Sequence, residues 1–575
     1  MSYLELYTEW RNHPALTEAE RQDLATIESD PQEMESRFFG PLEFGTAGLR
    51  GVMGVGLNRM NRHVIRHVTQ AFAQVILAEG PQAAQQGIAI CFDCRNGSSE
   101  FAREAACVMA ANGIPVRLFS GMRPTPELSF AVREYGCIAG INVTASHNPK
   151  EYNGYKVYWS DGAQLPPRHA AAIAANMKTL DVFDSVRSLP YEEALAQGLI
   201  TLLGTETDVK FLDQVMALAN DYETVSRVAD TFTMVYTPFH GAGHQQIPEV
   251  LRRLGIRHLH CVPQQMILDG SFPTVTSPNP ENPESFALAI GLAREVGAHF
   301  ILGSDPDADR VGILARNAQG DYQLLSGNRT GVLLLDYLIG ARLRRGTLPE
   351  RAAILKTIVT TEMARRVAER NGIACYDTFT GFKFMAEKKG ELEATGEGQV
   401  FFSYEESFGY MLGDFTRDKD AVSASLLLTE MAAWYQSRGM TLFDALESLF
   451  ETYGYYEEET LNLVMPGLSG METMKALMAH LREQPLTQIA KVPVLGQKDY
   501  QTGLETNWET GTVTPTELIG SNVLKYRLAT GTDLVIRPSG TEPKIKVYIL
   551  AKGEDRTACH QEVLTLSQWA REALR

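Results

Sequence analysis

Ile88-Ala89-Ile90-Cys91-Phe92, the amphipathic run Ser99 to Ala111, the stop Asn112-Gly113-Ile114 and the apolar run Pro115 to Phe119 together carry the fold. The first run has strand composition and the second has helical periodicity. Gly113 supplies the left-handed residue that ends a helix and releases the chain into a second strand. The unit is a β-α-β crossover, which places its two strands parallel in one sheet. The plan recurs twice. Strand Thr233 to Thr237, helix Gln245 to Leu254, stop Gly255-Ile256 and strand His258 to Val262 form the second copy. Strand Ala353 to Ile358, helix Thr361 to Arg370, stop Asn371-Gly372-Ile373 and strand Ala374 to Tyr376 form the third. A shared stop in three units predicts three related α/β domains with largely parallel sheets.

After about residue 450 the character changes. Gly467, Gly470 and Gly496 interrupt the chain, and Trp508 to Pro515 is rich in turn formers. Strand-like runs Asp533 to Ile536 and Ile545 to Leu550 then precede a helical Thr557 to Leu574, the order of an α+β domain. The expected division is 1–210, 211–325 and 326–450 for the α/β domains and 451–575 for the α+β domain. Glycines near that last join, Gly454, Gly467 and Gly470, offer backbone freedom for a hinge.

Bulk properties narrow the function. A chain of 575 residues with 44% hydrophobic and 21% charged residues has the composition of an ordinary multidomain globular protein. Its net charge of −17 argues against a nucleic-acid partner and requires anionic ligands to be held by local Arg and Lys. The start, Met1 to Leu6, has no signal pattern, and no apolar run is long enough to span a bilayer. A cytoplasmic location follows as the expectation, with no membrane and no obligate protein partner. Seven cysteines form no disulfide framework. Cys91 and Cys94 have C-x-x-C spacing without a second pair for zinc, and read as reduced packing residues of the first strand.

Four loops carry chemistry. Thr144-Ala145-Ser146-His147-Asn148-Pro149 follows the apolar run Cys137 to Val143, and Lys156 lies a short loop further on. A serine needs a neighbouring base or cation to act as nucleophile, and both are close in sequence. Gly303-Ser304-Asp305-Pro306-Asp307-Ala308-Asp309-Arg310 follows Phe300-Ile301-Leu302. Its three alternating carboxylates repel one another unless a cation lies between them, and hard oxygen ligands suit Mg²⁺. An EF-hand is excluded, since Arg310 and Arg316 occupy the places of its Gly and Glu. Arg537-Pro538-Ser539-Gly540-Thr541-Glu542-Pro543-Lys544 joins two strands and offers a guanidinium fork, hydroxyls and loop N–H groups to an anion. Phe402-Ser403-Tyr404-Glu405-Glu406-Ser407-Phe408-Gly409-Tyr410 is either a set of hydrogen-bonding groups for sugar hydroxyls or a polar turn between buried aromatics.

In this order the four loops resemble those of the α-D-phosphohexomutase superfamily, which includes phosphoglucomutases and phosphomannomutases. The run Thr144 to Tyr158 and the run Phe44-Gly45-Thr46-Ala47-Gly48-Leu49-Arg50-Gly51 are most similar to the phosphoglucomutase/phosphopentomutase branch. The resemblance implies four domains around a central cleft and reversible relocation of a phosphoryl group between C1 and C6 of a hexose phosphate. It implies a phosphoryl group on Ser146, with Mg²⁺ held by Ser146, Asp305, Asp307 and Asp309. His147, Lys156, Arg50 and Arg310 would line the reacting centre. Glu405 and Ser407 would hold sugar hydroxyls, and Gly381 and Lys383 would belong to a specificity loop. Arg537, Ser539, Gly540 and Thr541 would hold the distal phosphate. Glucose 1,6-bisphosphate would be the activator, and small sugar phosphates the partners. Phosphopentomutase, phosphomannomutase and glucose-1,6-bisphosphate synthase share these loops. A metal-dependent phosphohydrolase and a silent sugar-phosphate sensor are the readings from other classes.

Overall fold

The computed structural model describes residues 2–45, 48–465, 470–539 and 544–574. Thr46, Ala47, Gly467, Gly540 and Thr541 lie outside the described residues. The chain divides into two compact units, 1–325 with 408–441 and 326–407 with 442–575.

The first unit holds two sheets. In one, Ile88–Phe92 pairs in parallel with Val116–Phe119 and with Ala139–Val143, and Val116–Phe119 pairs in parallel with Ile200–Leu203. Tyr152–Trp159 then adds antiparallel to Ala139–Val143, and Leu49–Val52 antiparallel to it. In the other, Thr233–Thr237 is flanked in parallel by His258–Cys261 and Phe300–Ser304. Val311–Arg316 and Tyr322–Leu324 extend that edge antiparallel. The sheets are mixed: β-α-β units make their parallel cores, and hairpins that return after each functional loop make their antiparallel edges.

The second unit holds Ala352–Thr357 between Ala374–Thr378 and Gln399–Glu405, all parallel. It also holds an antiparallel C-terminal sheet in which Asp533–Pro538 lies between Leu524–Leu528 and Lys544–Gly553. Tyr455–Val464 closes one side, and helices Gly470–Glu483 and Arg556–Ala573 contribute Met474, Met478, Val563 and Leu566 to its core.

The predicted stops are present. Gly113, Gly255 and Gly372 have φ of 75°, 104° and 70°, so a side chain at any of them would be strained. Helix starts shift slightly. The second crossover enters through a 3-10 turn, Ala242–His244, before Gln246–Leu254. All seven cysteines are free. Cys91 is buried in its strand, but Cys94 lies beyond the strand end at Phe92, so the two do not share one strand as their spacing suggested. Among the described residues no helix is long and apolar enough to cross a membrane.

Candidate active site

Strand Ala139–Val143 ends one residue before the serine loop, and that loop is tightly held. Thr144 Oγ1 accepts from Ser146 N–H at 2.8 Å, and Ser146 has φ 51°, in the left-handed region that an L residue with a side chain enters at a cost. The serine is buried, at 3% exposure, rather than lining an open surface. Its Oγ donates to Asp305 Oδ2 at 2.8 Å and lies 3.2 Å from His147 Nδ1. Burial, with the Arg310 and Arg50 guanidiniums adding to it, pushes the His147 pKa well below its usual value, so the imidazole is neutral at neutral pH.

Lys156 arrives on Tyr152–Trp159, where register places it opposite Asn142. Its Nζ donates to Asp307 Oδ2 at 2.7 Å and to Asp309 Oδ2 at 3.3 Å. Gly154 allows the strand this close, since a Cβ there would meet Thr144 O at 2.5 Å. Arg50, on the next strand, is exposed and donates to Asn148 Oδ1 at 3.1 Å.

The acidic loop turns between antiparallel strands Phe300–Ser304 and Val311–Arg316. Asp305 Oδ1 accepts from the N–H groups of Asp309 and Arg310 at 3.1 and 3.0 Å, and Ala308 takes φ 50° to close the turn. Thr125 Oγ1 donates to Asp307 Oδ2 at 2.9 Å. Arg310 Nη1 donates to Glu281 at 2.8 Å. All three carboxylates are buried, and they bring one oxygen each within 4.8 Å of one another.

This loop is electrostatically unfinished. Burial and the neighbouring Asp307 and Asp309 raise the Asp305 pKa well above the carboxylate range. Burial works the same way on Asp307, but Lys156 and hydrogen bonds outweigh it and hold that pKa low. Asp307 Oδ1 and Asp309 Oδ1 are buried and receive no hydrogen bond. Buried acceptors without donors are costly, and a cation among them removes both the orphaned oxygens and the mutual repulsion. The residues therefore fit a hard divalent ion.

Two further groups escaped the sequence reading. In Thr416-Arg417-Asp418-Lys419-Asp420, Lys419 Nζ lies 3.1 Å from Asp309 Oδ2. Asp418 Oδ2 accepts from Tyr158 Oη at 2.9 Å and Gln164 Nε2 at 3.0 Å. The available signal was a dense charge run directly before Ala421–Gln436, a helix buried along nearly its whole length.

The other expected residues lie in the second unit. Glu405 ends strand Gln399–Glu405 and is buried. Its neighbour Glu406 accepts from Thr357 and Thr360 hydroxyls, both at 3.1 Å. Ser407 follows, partly exposed. Gly381, with φ 113°, opens helix Phe382–Thr395, and Lys383 Nζ lies 4.7 Å from the Phe384 ring centroid. Arg537 lies one residue before the end of its strand, opposite Lys546, and Ser539 N–H donates to Lys544 O at 2.9 Å. Buried Tyr548 hydrogen-bonds Arg537 and lies within electrostatic reach of Glu406 and Glu405.

Comparison with known proteins agrees with this architecture. Residues 41–182, 210–320 and 326–453 match the models of α/β/α domains I, II and III of phosphoglucomutase/phosphomannomutase. A phosphoglucomutase of Staphylococcus haemolyticus is 34% identical over 515 residues, covering 90% of this chain and 91% of its own. A phosphoglucomutase of Staphylococcus aureus is 34% identical over 529 residues, 92% of each chain. In fold, the chain is similar to parafusin, a phosphoglucomutase from Paramecium solved in an open form. That likeness has a TM-score of 0.67 at 18% identity and covers 93% of this chain and 96% of that one. With three successive domain models and relatives matched along nine-tenths of their length, the chain belongs to the phosphoglucomutase/phosphomannomutase family of α-D-phosphohexomutases.

Proposed function

We propose that the chain is a phosphoglucomutase that interconverts glucose 1-phosphate and glucose 6-phosphate through phosphorylated Ser146. The observation that carries this reading is Ser146 Oγ held 2.8 Å from Asp305 in a loop whose neighbouring carboxylates keep two buried oxygens without donors. The bond from phosphorus to Ser146 Oγ breaks as a bond forms to the sugar's free hydroxyl oxygen, and the proton that hydroxyl loses is balanced by the one the freed serine oxygen gains. The bisphosphorylated sugar reorients, and its other phosphoryl group returns to Ser146 Oγ. Neutral His147, 3.2 Å away, can take the serine proton on that return. Asp305, Asp307 and Asp309 would hold Mg²⁺, which when bound neutralises phosphoryl charge. Lys156 and Lys419 set the Asp307 and Asp309 carboxylates and add positive charge beside Ser146.

Arg50 and Arg310 would contact the phosphoryl oxygens, Glu405 and Ser407 the sugar hydroxyls, and Arg537, Ser539, Gly540 and Thr541 the distal phosphate. Gly381 and Lys383 would tune sugar preference, and glucose 1,6-bisphosphate would restore the phosphoserine. The four loops would fall in domains 1–210, 211–325, 326–450 and 451–575, a division supported by one sheet in each.

Replacing Ser146 with Ala tests the mechanism. Turnover should fall at least ten-thousandfold with folding retained, and intact mass should show a phosphoryl group on the active wild type that the variant lacks. Near-normal turnover by the variant would exclude the covalent route. A panel of glucose, mannose and pentose 1-phosphates, with and without sugar bisphosphate, separates this reading from the pentomutase, mannomutase and bisphosphate-synthase readings.

A further inference from the structure

Arg95 lies just past the end of strand Ile88–Phe92, outside every loop assigned a role above, and it is 3% exposed. Both its Nη atoms donate to the serine loop. Nη2 donates to Ser146 O at 2.5 Å and also to Asn148 O. Nη1 donates to Pro149 O at 2.9 Å and to Tyr152 O at 3.0 Å. The four carbonyls span the loop from the serine to the start of the next strand; the Ser146 end is buried, and Pro149 O also accepts from Tyr152 N–H at 3.1 Å. Arg95 Nε faces Asp93 Oδ2 at 3.4 Å, and Asp93 Oδ1 in turn accepts from Arg95 N–H and Ser98 Oγ at 3.0 and 2.7 Å.

The other side of the guanidinium is closed by a loop that follows the second sheet's edge strand His258–Cys261. The Phe272 ring centroid lies 5.1 Å from Arg95 Cζ, and Phe272 is buried with φ 48°. The fit admits no side chain at Gly270, where a Cβ would lie 2.4 Å from Asn96 N. The acidic loop leaves the same sheet. One residue therefore grips the serine loop while touching the part of the chain that carries Asp305.

We propose that Arg95 is a positioning residue for the phosphoryl transfer: it fixes the peptide plane after Ser146, and so aims Ser146 Oγ at Asp305. A planar five-donor fork meets four carbonyls, which an ammonium group cannot do in this geometry. The left-handed Ser146 backbone needs such a restraint, because relaxation toward ordinary φ would swing Oγ away from Asp305. Arg95 touches no reacting atom, so its loss acts on the transfer step rather than on substrate affinity.

This inference rests on the mutase reading, and wild-type interconversion of glucose 1-phosphate and glucose 6-phosphate is measured first; failure there sinks that reading and not the geometry. Given an active wild type, Arg95→Lys should lose at least tenfold in kcat with KM within twofold. Phe272→Leu, which removes the ring over the guanidinium, should lose two- to fivefold in the same parameter. Thermal unfolding identifies which variants are folded. A folded Arg95→Lys enzyme with wild-type kcat, or one whose loss lies wholly in KM, overturns the proposal. If Arg95→Lys does not fold, wild-type kcat in Phe272→Leu overturns it instead.

Discussion

Each unit buries a cluster of charges, and the two clusters are built to opposite rules. In the first unit Asp305, Asp307, Asp309 and Asp418 are met by Lys156 and Lys419, with Arg310 Nε 3.9 Å from Asp309 Oδ1. In the second, Lys356 pairs with Glu362 and Asp377, both at 2.9 Å, and Arg365 pairs with the same two carboxylates. Lys525 reaches Asp533 at 2.9 Å and Glu362 at 3.5 Å, and Arg527 also pairs with Asp533. That cluster joins the parallel sheet to the C-terminal sheet and meets each acid with two or more cations. Even Asp377 Oδ1, which receives no aligned hydrogen bond, lies 2.9 Å from Lys356 Nζ and 2.8 Å from Arg365, whereas the first cluster keeps an excess of negative charge and an Asp307 Oδ1 with no donor and no cation of its own. Burial of charge alone marks neither function nor architecture. The balance of charge does: a matched cluster holds the chain together, and an unmatched one holds a place for something else.

The comparison breaks most visibly at Asp307. Asp307→Asn removes the charge that Lys156 meets at 2.7 Å, so it should cost some stability, and turnover of the folded enzyme should fall about a thousandfold or more. A large loss of stability with activity retained would make this cluster structural. The matched cluster should respond the other way. Lys356→Met leaves Glu362 and Asp377 short of a partner and should cost about 3–5 kcal/mol in denaturant unfolding, with turnover of the folded enzyme within a few-fold of wild type. Adding Mg²⁺ should raise the unfolding free energy of the wild type by about 2.7 kcal/mol at a hundred times its Kd, and should leave Asp307→Asn unmoved. Equal stabilisation of both would place the metal elsewhere.

Acid sharpens the contrast with the smallest effect. Although burial acts to raise it, Lys356, Lys525 and Arg365 hold the Glu362 pKa well below its usual 4.5. The unfolded chain therefore takes up this proton first as pH falls. The stability that Glu362 supplies is complete above about pH 4.5 and is lost as pH drops through the depressed folded value. Stability of Glu362→Gln, followed by equilibrium unfolding below pH 4.5, should fall less steeply than that of the wild type. Parallel curves would remove Glu362 from the matched cluster.

Much of this was legible in the residues. The stops at Gly113, Gly255 and Gly372 announced the crossovers, because a left-handed exit after a helix has few residues that can make it. The serine and acidic loops stood out because each follows an apolar run and crowds reactive or repelling groups into a turn. What escaped was long-range. Lys419 meets Asp309 across more than a hundred residues, and no local period encodes that approach. Arg95 looked like an ordinary charged residue after a strand, since its four partners are backbone carbonyls, which carry no side-chain signal. The join near Gly454 held a third long-range feature. The Lys525–Glu362 pair bridges the two sheets on either side of that join, a contact the glycine pattern could not foretell.

Tyr548 gives that bridge a metrological sense. Arg537, its partner Tyr548 and the Glu405–Glu406 turn lie inside one compact unit, so on the proposed reading the grips for phosphate and for sugar hydroxyls are the two jaws of a caliper. A substrate that turns end over end must present the same span twice to be held both times. A shorter pentose would fill the gap in neither orientation as a hexose does, and selection by length would need no contact with the carbon that differs.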